Sequence, residues 1–141
     1  MGSSFRYRDD APHEEPAVTL DAFLEQEDAT AVRLEAGEDA RQLIPYLDRL
    51  QLIEISFPRF RDGRGFSSAR ILREAGYKGE LRAEGDVLID LLYFMRRCGF
   101  DSFVSEHSLN PADVDAALNR YDLVYQNATD AAVPIWKLRH G

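Results

Sequence analysis

The sequence predicts an α/β domain, and three observations carry that expectation. Short segments of alternating apolar and charged residues recur between longer segments whose apolar residues fall at helical spacing. Gly37, Gly76, Gly85 and Gly99 punctuate the pattern where one kind of segment gives way to the next. Four strand-then-helix units follow in succession, which implies parallel strands joined by right-handed crossovers. The alternation narrows the architecture further. Parallel strands covered on both faces are nearly continuous apolar runs. Here Val32, Leu34 and Ala36 alternate with Arg33 and Glu35, Ile53, Ile55 and Phe57 with Glu54 and Ser56, and Leu81 and Ala83 with Glu80, Arg82 and Glu84. Because successive side chains of a strand point to opposite faces, one face of the sheet is apolar and the other charged. That pattern fits a singly wound, half-barrel-like sheet with helices on one face; a flavodoxin-like open sheet is the alternative.

Residues 1–17 carry Asp9-Asp10, Glu14-Glu15, Pro12 and Pro16 without apolar periodicity and are expected to be a mobile acidic tail, leaving 18–141 as a single α/β domain. From Thr19, a capping residue, Leu20, Phe23 and Leu24 share one helical face. Ala31–Ala36 is a strand, and Glu38–Leu50 places Ala40, Leu43, Ile44, Leu47 and Leu50 at helical spacing. Leu52–Phe57 is the second strand and Ser67–Ala75 the second helix, closed by Gly76. Glu80–Glu84 is the third strand, and Asp86 is placed to cap a third helix, Val87–Cys98, that Gly99 stops. Ser102–Ser105 is a short fourth strand, after which Asn110 caps and Pro111 opens a fourth helix through Val114, Ala117, Leu118 and Tyr121. Val133, Ile135 and Trp136 fall in a final segment, 123–138, able to supply a further extended stretch.

Composition excludes several functions. A chain of 141 residues with 45% hydrophobic and 30% charged residues is that of a globular domain with one core, and no apolar run approaches the ~20 residues of a membrane span. The N-terminal residues lack the pattern of a secretory signal, so a cytoplasmic location is expected. One cysteine, Cys98, permits no internal disulfide, and His13, His107 and His140 show no zinc-site spacing, so no metal or cofactor is expected. The net charge of −8 disfavours nucleic acid and anionic membrane as partners. A charged sheet face has two readings: an interstrand salt-bridge network among Arg33, Glu35, Glu54, Arg82 and Glu84, or a functional lumen. A homodimer is one way for such a half-sheet to be completed.

One basic patch opposes the total. Arg59, Arg61, Arg64, Arg70 and Arg73 cluster against Asp62 and Glu74. Phe57-Pro58 ends a strand, Asp62-Gly63-Arg64-Gly65 is a turn sequence, and Ser67 or Ser68 is placed to cap the next helix. A helix N-terminus beside such arginines suits a phosphate, sulfate or carboxylate. The spacing matches neither a Walker loop nor GxGxxG, so a rigid connector is the competing reading. Arg82 and Asp86, near the carboxyl end of the third strand, complete the candidate anion-binding set of Arg59, Asp62, Gly63, Arg64, Gly65, Ser67, Arg82 and Asp86. Catalytic residues are not assignable from the sequence. Cys98 is expected to be a buried structural thiol, and Trp136 a packing residue.

The run Phe57-Pro58, Asp62-Gly63-Arg64-Gly65, Ser67, Ala69-Arg70, Leu72-Arg73, Gly76-Tyr77, Gly79–Ala83, Gly85–Leu88 and Arg97–Asp101 resembles an uncharacterised bacterial family. Its members are described as probable oxidoreductases and are commonly encoded beside sulfite reductase in sulfate-assimilation loci. The resemblance covers Ile53 to Phe103; Glu84 and Leu91 stand where that family more often has an apolar and an amide residue. It implies an accessory protein of assimilatory sulfate or sulfite reduction, a partner of sulfite reductase or of another sulfate-assimilation protein. The residues themselves carry no dinucleotide fingerprint, iron–sulfur cysteine set or CxxC, so an independent redox enzyme is not expected. The alternative is a small βα enzyme or binding domain for sulfite, sulfate or a phosphorylated metabolite at Arg59–Gly65.

Overall fold

The computed structural model describes residues 2–13, 16–26, 28–58 and 64–119. In chain order the elements are β1 (Ser3–Arg6), β2 (Val18–Thr19), α1 (Leu20–Glu25), β3 (Ala31–Leu34), a 3-10 helix (Ala40–Tyr46), β4 (Leu52–Phe57), α2 (Arg64–Glu74), β5 (Glu80–Gly85), a short 3-10 turn (Ile89–Leu91), α3 (Leu92–Cys98), β6 (Ser102–Ser105) and α4 (Pro111–Asn119). The strands form one mostly parallel six-stranded sheet in the order β1-β6-β5-β4-β3-β2. From β2 to β6 each strand pairs parallel with the next, and β1 closes the row antiparallel to β6. From β2 to β6 the order never reverses, so the parallel part of the sheet lacks the switch point that a flavodoxin-like order creates.

Alternation along the strands sorts the two faces as the sequence implies. Val32, Leu34, Ile53, Ile55, Phe57, Leu81, Ala83 and Phe103 join one core with Phe23, Leu43, Ala69, Leu72, Leu92, Met95 and Val114 from the helices. The helices follow one another in a row: α2 touches the 3-10 helix and α3, and α3 touches α4. On the intervening strand positions Arg33 and Glu54 stand in register, and Glu54 and Arg82 likewise. Arg33 donates to Glu54 at 2.7 Å, to Glu84 at 2.8 Å and to Glu35 at 2.6 Å. Burial alone would lower the Arg33 pKa, but the three carboxylates outweigh it and hold the guanidinium firmly charged. Arg82 donates to Glu54 at 3.2 Å and lies 3.6 Å from Glu80, whose other oxygen accepts from Arg6 at 3.0 Å. The charged face is therefore a continuous ion-pair row.

Several elements depart from the sequence expectation. Residues 3–6, expected within a mobile tail, form β1, with Phe5 opposite Phe103. Ser3–Arg6 contains one apolar residue, Phe5, and so shows no alternation, and what ties the segment down is distant in sequence: Arg6 to Glu80, and Arg8 to Asp101 at 2.9 Å. The expected helix from Glu38 is a 3-10 helix capped by Asp39, whose carboxylate accepts from Arg41 N; Pro45 lies inside it and supplies no amide hydrogen for an α-helical bond. Asp86 does not stand at the N-cap, since the helical turn after β5 begins only at Ile89 behind Leu88. By contrast, Thr19 and Asn110 do cap, accepting from Ala22 N and Ala112 N. The segment 123–138, with Trp136, lies outside the described residues.

The amino ends of β5 and β6 are held by one carboxylate. Asp101 is 8% exposed and accepts from Arg73 at 2.5 Å, from Arg8 at 2.9 Å, from Arg96 at 3.3 Å and from Leu81 N at 3.2 Å. Burial lowers the Arg96 pKa, with Asp101 opposing it. Arg73, counted in the basic patch, is thus a structural residue that also donates to the Tyr77, Gly79 and Gly99 carbonyls.

Tyr7, just past β1, sets its ring edge-on to Phe103 at 6.2 Å. Burial, with Asp115 adding to it and Arg96 opposing, pushes its hydroxyl up to about 12. A folded-state value above the unfolded value of about 10 contributes stability that is complete below pH 10 and is lost as pH rises toward 12. Because the ring is only half-buried and solvent screens the effect, urea titrations at pH 9 and pH 11.5 are expected to show wild type losing more stability than Tyr7→Phe by on the order of 1 kcal/mol or less. Equal losses in the two proteins would show that the Tyr7 hydroxyl is no more shielded from water in the folded chain than in the unfolded one.

Candidate functional site

In parallel βα folds, residues just past the carboxyl ends of strands are brought together from separate loops. Here the ends of β4, β5 and β6 are fastened to one another by backbone. Asp86 N donates to Phe57 O at 2.7 Å, and Glu106 N to Gly85 O at 2.9 Å. Ser105 Oγ donates to Val87 O at 2.7 Å and accepts from His107 N at 3.0 Å, so one buried hydroxyl ties the loop after β6 to the loop after β5. The crossing requires Gly85, whose φ is +118° and where a Cβ would lie 2.5 Å from Phe57 O.

These constraints aim three side chains at one point. His107 Nε2 lies 2.5 Å from Asp86 Oδ1 and 3.9 Å from Glu106 Oε1. One ligand-type atom from each of Asp86, Glu106 and His107 lies within 4.8 Å of the others. Asp86 is mostly buried, its side chain 17% exposed, whereas His107 and Glu106 reach solvent at 41% and 60%. An ionised carboxylate only accepts, so in a neutral His107 ring Asp86 favours the tautomer with the proton on Nε2, in which Nδ1 is an acceptor. A carboxylate that orients an imidazole is the arrangement of a general base or of a ligand to a cation.

On the neighbouring side of the same edge an aromatic ladder leads outward. The Phe57 ring, buried at the end of β4, touches Phe100 at 5.6 Å and Phe66 at 5.1 Å, and Phe66 touches Phe94 at 4.9 Å. Phe94 is 45% exposed.

The residues singled out from sequence divide between these places. Arg59, Asp62 and Gly63 lie outside the described residues. Arg64 opens α2 and is exposed, its guanidinium close enough that a Cβ on Gly37 would sit 3.0 Å from Nη1. Gly65 is a packing residue: the Phe57 ring occupies the space of its missing side chain, 2.5 Å from where a Cβ would be. Ser67 is exposed on α2 and, like Ser68, stands too far along to cap a helix that begins at Arg64. Arg82 is held mid-strand by Glu54 and Glu80, four positions and about 13 Å along the chain from Asp86, so the two do not form one site. Cys98 is a buried thiol, as expected.

Glu106 and His107 were not among the candidates. Their partner Asp86 is some twenty residues earlier in the chain, on the far side of α3 and β6, and no local spacing announces the pair. A usable signal does exist: Gly85-Asp86 and Ser105-Glu106-His107 are the residues that follow two neighbouring strands.

The fold and this edge define a mostly parallel α/β domain with an acid–imidazole cluster past the carboxyl ends of its strands. Residues 31–136 match the family described as "Bacterial protein of unknown function (DUF934)", and the chain belongs to that family. No curated protein and no solved structure matches the chain. No helix among the described residues is long and apolar enough to cross a membrane.

The geometry yields two expectations. Gly85→Ala incurs both left-handed strain and a clash with Phe57 O, whereas at Gly76, φ +100°, nothing lies within 4 Å. Urea denaturation is expected to give a loss of about 1 kcal/mol for Gly76→Ala and at least twice that for Gly85→Ala. Long-range ¹H–¹⁵N spectra of His107 should show the Nε2–H tautomer in wild type and a mixture in Asp86→Asn; an unchanged tautomer would mean that Asp86 does not orient the ring.

Proposed function

We propose that the protein is an accessory protein of assimilatory sulfate and sulfite reduction, a partner of sulfite reductase rather than an independent redox enzyme, acting through the carboxyl edge of its sheet. The observation that carries the site is the Asp86–His107 contact at 2.5 Å, reached from two strand ends and open to solvent. The pathway is supported by the resemblance of the Phe57–Asp101 run to the family encoded beside sulfite reductase. Against an independent redox role stand the missing cofactor motifs and a single cysteine buried in α3, which leaves the chain no dithiol couple. The consecutive strand order supports the finer reading of a singly wound, half-barrel-like sheet, in which such an edge is the usual place for a site.

A second reading, a binding domain or small enzyme for sulfite, sulfate or a phosphorylated metabolite, is favoured by one observation: α2 opens with an exposed Arg64 and has no acidic residue in its first turn. Growth of a deletion strain with sulfate as sole sulfur source, with and without cysteine, separates the possibilities. The expected outcome is a defect that cysteine corrects, that wild type and Arg64→Ala complement and that His107→Ala does not. Rescue by His107→Ala but not Arg64→Ala favours the second reading, and normal growth of the deletion strain contradicts both.

A further inference from the structure

We infer that Asp86, Glu106 and His107 form a binding site for a divalent first-row transition ion, with Zn²⁺ the best match to the donor set. The inference rests on the carboxyl edge being the working end of the sheet and is independent of the pathway. Three features support it. The donors are one imidazole nitrogen and two carboxylate oxygens, within 4.8 Å of one another and drawn from two different loops. Imidazole favours zinc, iron or nickel over magnesium and calcium, and the carboxylates disfavour a soft monovalent ion.

The distances suit such an ion. Two donors on a tetrahedral ion with bonds of ~2.0–2.1 Å lie about 3.3 Å apart. The Asp86–His107 separation of 2.5 Å and the Glu106–His107 separation of 3.9 Å bracket that value, so side-chain shifts of under about 1 Å, with the ring proton passing from Nε2 to Nδ1 so that Nε2 is the ligand, bring the donors to ligand positions.

The backbone beneath is fixed. The Ser105 hydroxyl and the Gly85 carbonyl hold both loops, so the ligand-bearing residues are placed before any ion arrives. Three protein ligands leave a fourth position for water or an anionic ligand, the pattern of zinc sites that do chemistry rather than brace a fold. Such an ion polarises what it binds and lowers the pKa of bound water.

Isothermal titration of the full chain, stripped with EDTA, with zinc chloride and with magnesium chloride tests the site. Wild type is expected to bind Zn²⁺ at one equivalent and Mg²⁺ far more weakly. Glu106→Gln and His107→Gln should each weaken Zn²⁺ binding by more than the ~10–100-fold that loss of an outer-shell partner costs. Glu106 is an exposed surface residue, so Glu106→Gln keeps the test open if the histidine variant fails to fold. Absence of Zn²⁺ binding by wild type, or equal affinity in wild type and Glu106→Gln, overturns the inference. Zinc binding by a protein whose deletion leaves growth on sulfate normal would sustain the metal site and remove the pathway; a sulfate defect with no zinc binding would do the reverse.

Discussion

Glu54 takes a guanidinium from each side, Arg33 of β3 at 2.7 Å and Arg82 of β5 at 3.2 Å, and the rest of the sheet is organised around that sharing. Glu54 and Glu80 have side chains only 13% and 3% exposed, and a carboxylate so placed is costly unless it is paired. A one-residue slip of β4 would turn Glu54 into the apolar core and Ile53 and Ile55 out of it. The ion-pair row therefore selects the register more than it adds net stability, since paired charges that leave water regain much of what they lose and little beyond it. It also recruits the N-terminal segment: Glu80 accepts from Arg6, and β1 lies down along β6.

The same row decides where function can reside. Arg33 and Arg82 are held by carboxylates across the middle of the sheet, so the charged face offers an incoming anion few uncommitted donors. What the strands hold in common is instead their carboxyl ends, where Gly85 permits β5 to press against Phe57 O and where Ser105 binds the two following loops together. Asp86, Glu106 and His107 are carried to one point by that stitching, and the Phe57–Phe66–Phe94 ladder starts from the end of β4. The division is between a mid-sheet region made rigid by paired charge and an edge where Asp86, Glu106 and His107 converge.

Much of this was legible in the residues. Alternation in Val32–Leu34, Leu52–Phe57 and Glu80–Glu84 gave the strands, their two faces and the salt-bridge network, because a period of two needs only a few residues to show itself. Gly76 and Gly99 gave helix ends, since a left-handed residue announces itself by being glycine. The misses have physical causes. β1 owes its place to Glu80 and Asp101, contacts from distant parts of the chain that no window contains. The 3-10 helix kept the apolar spacing of an α-helix at Ala40 and Leu43, while Pro45 changed the hydrogen bonding beneath it. Arg64, Gly65, Ser67, Arg82 and Asp86 were grouped as an anion site at the carboxyl ends of neighbouring strands; in the sheet Gly65 packs under Phe57, Arg82 pairs with Glu54 in the ion-pair row and Asp86 contacts His107.

The claim on which the account turns is that the carboxyl edge, and not the charged sheet face, receives a ligand. Anomalous diffraction at the zinc edge from crystals grown with Zn²⁺ tests it directly. The account predicts a peak within ~2.0–2.2 Å of Asp86, Glu106 and His107, with the Arg33–Glu54–Arg82 row unchanged. A peak on the Glu54 or Glu84 carboxylates, or none between the loops after β5 and β6, would contradict it.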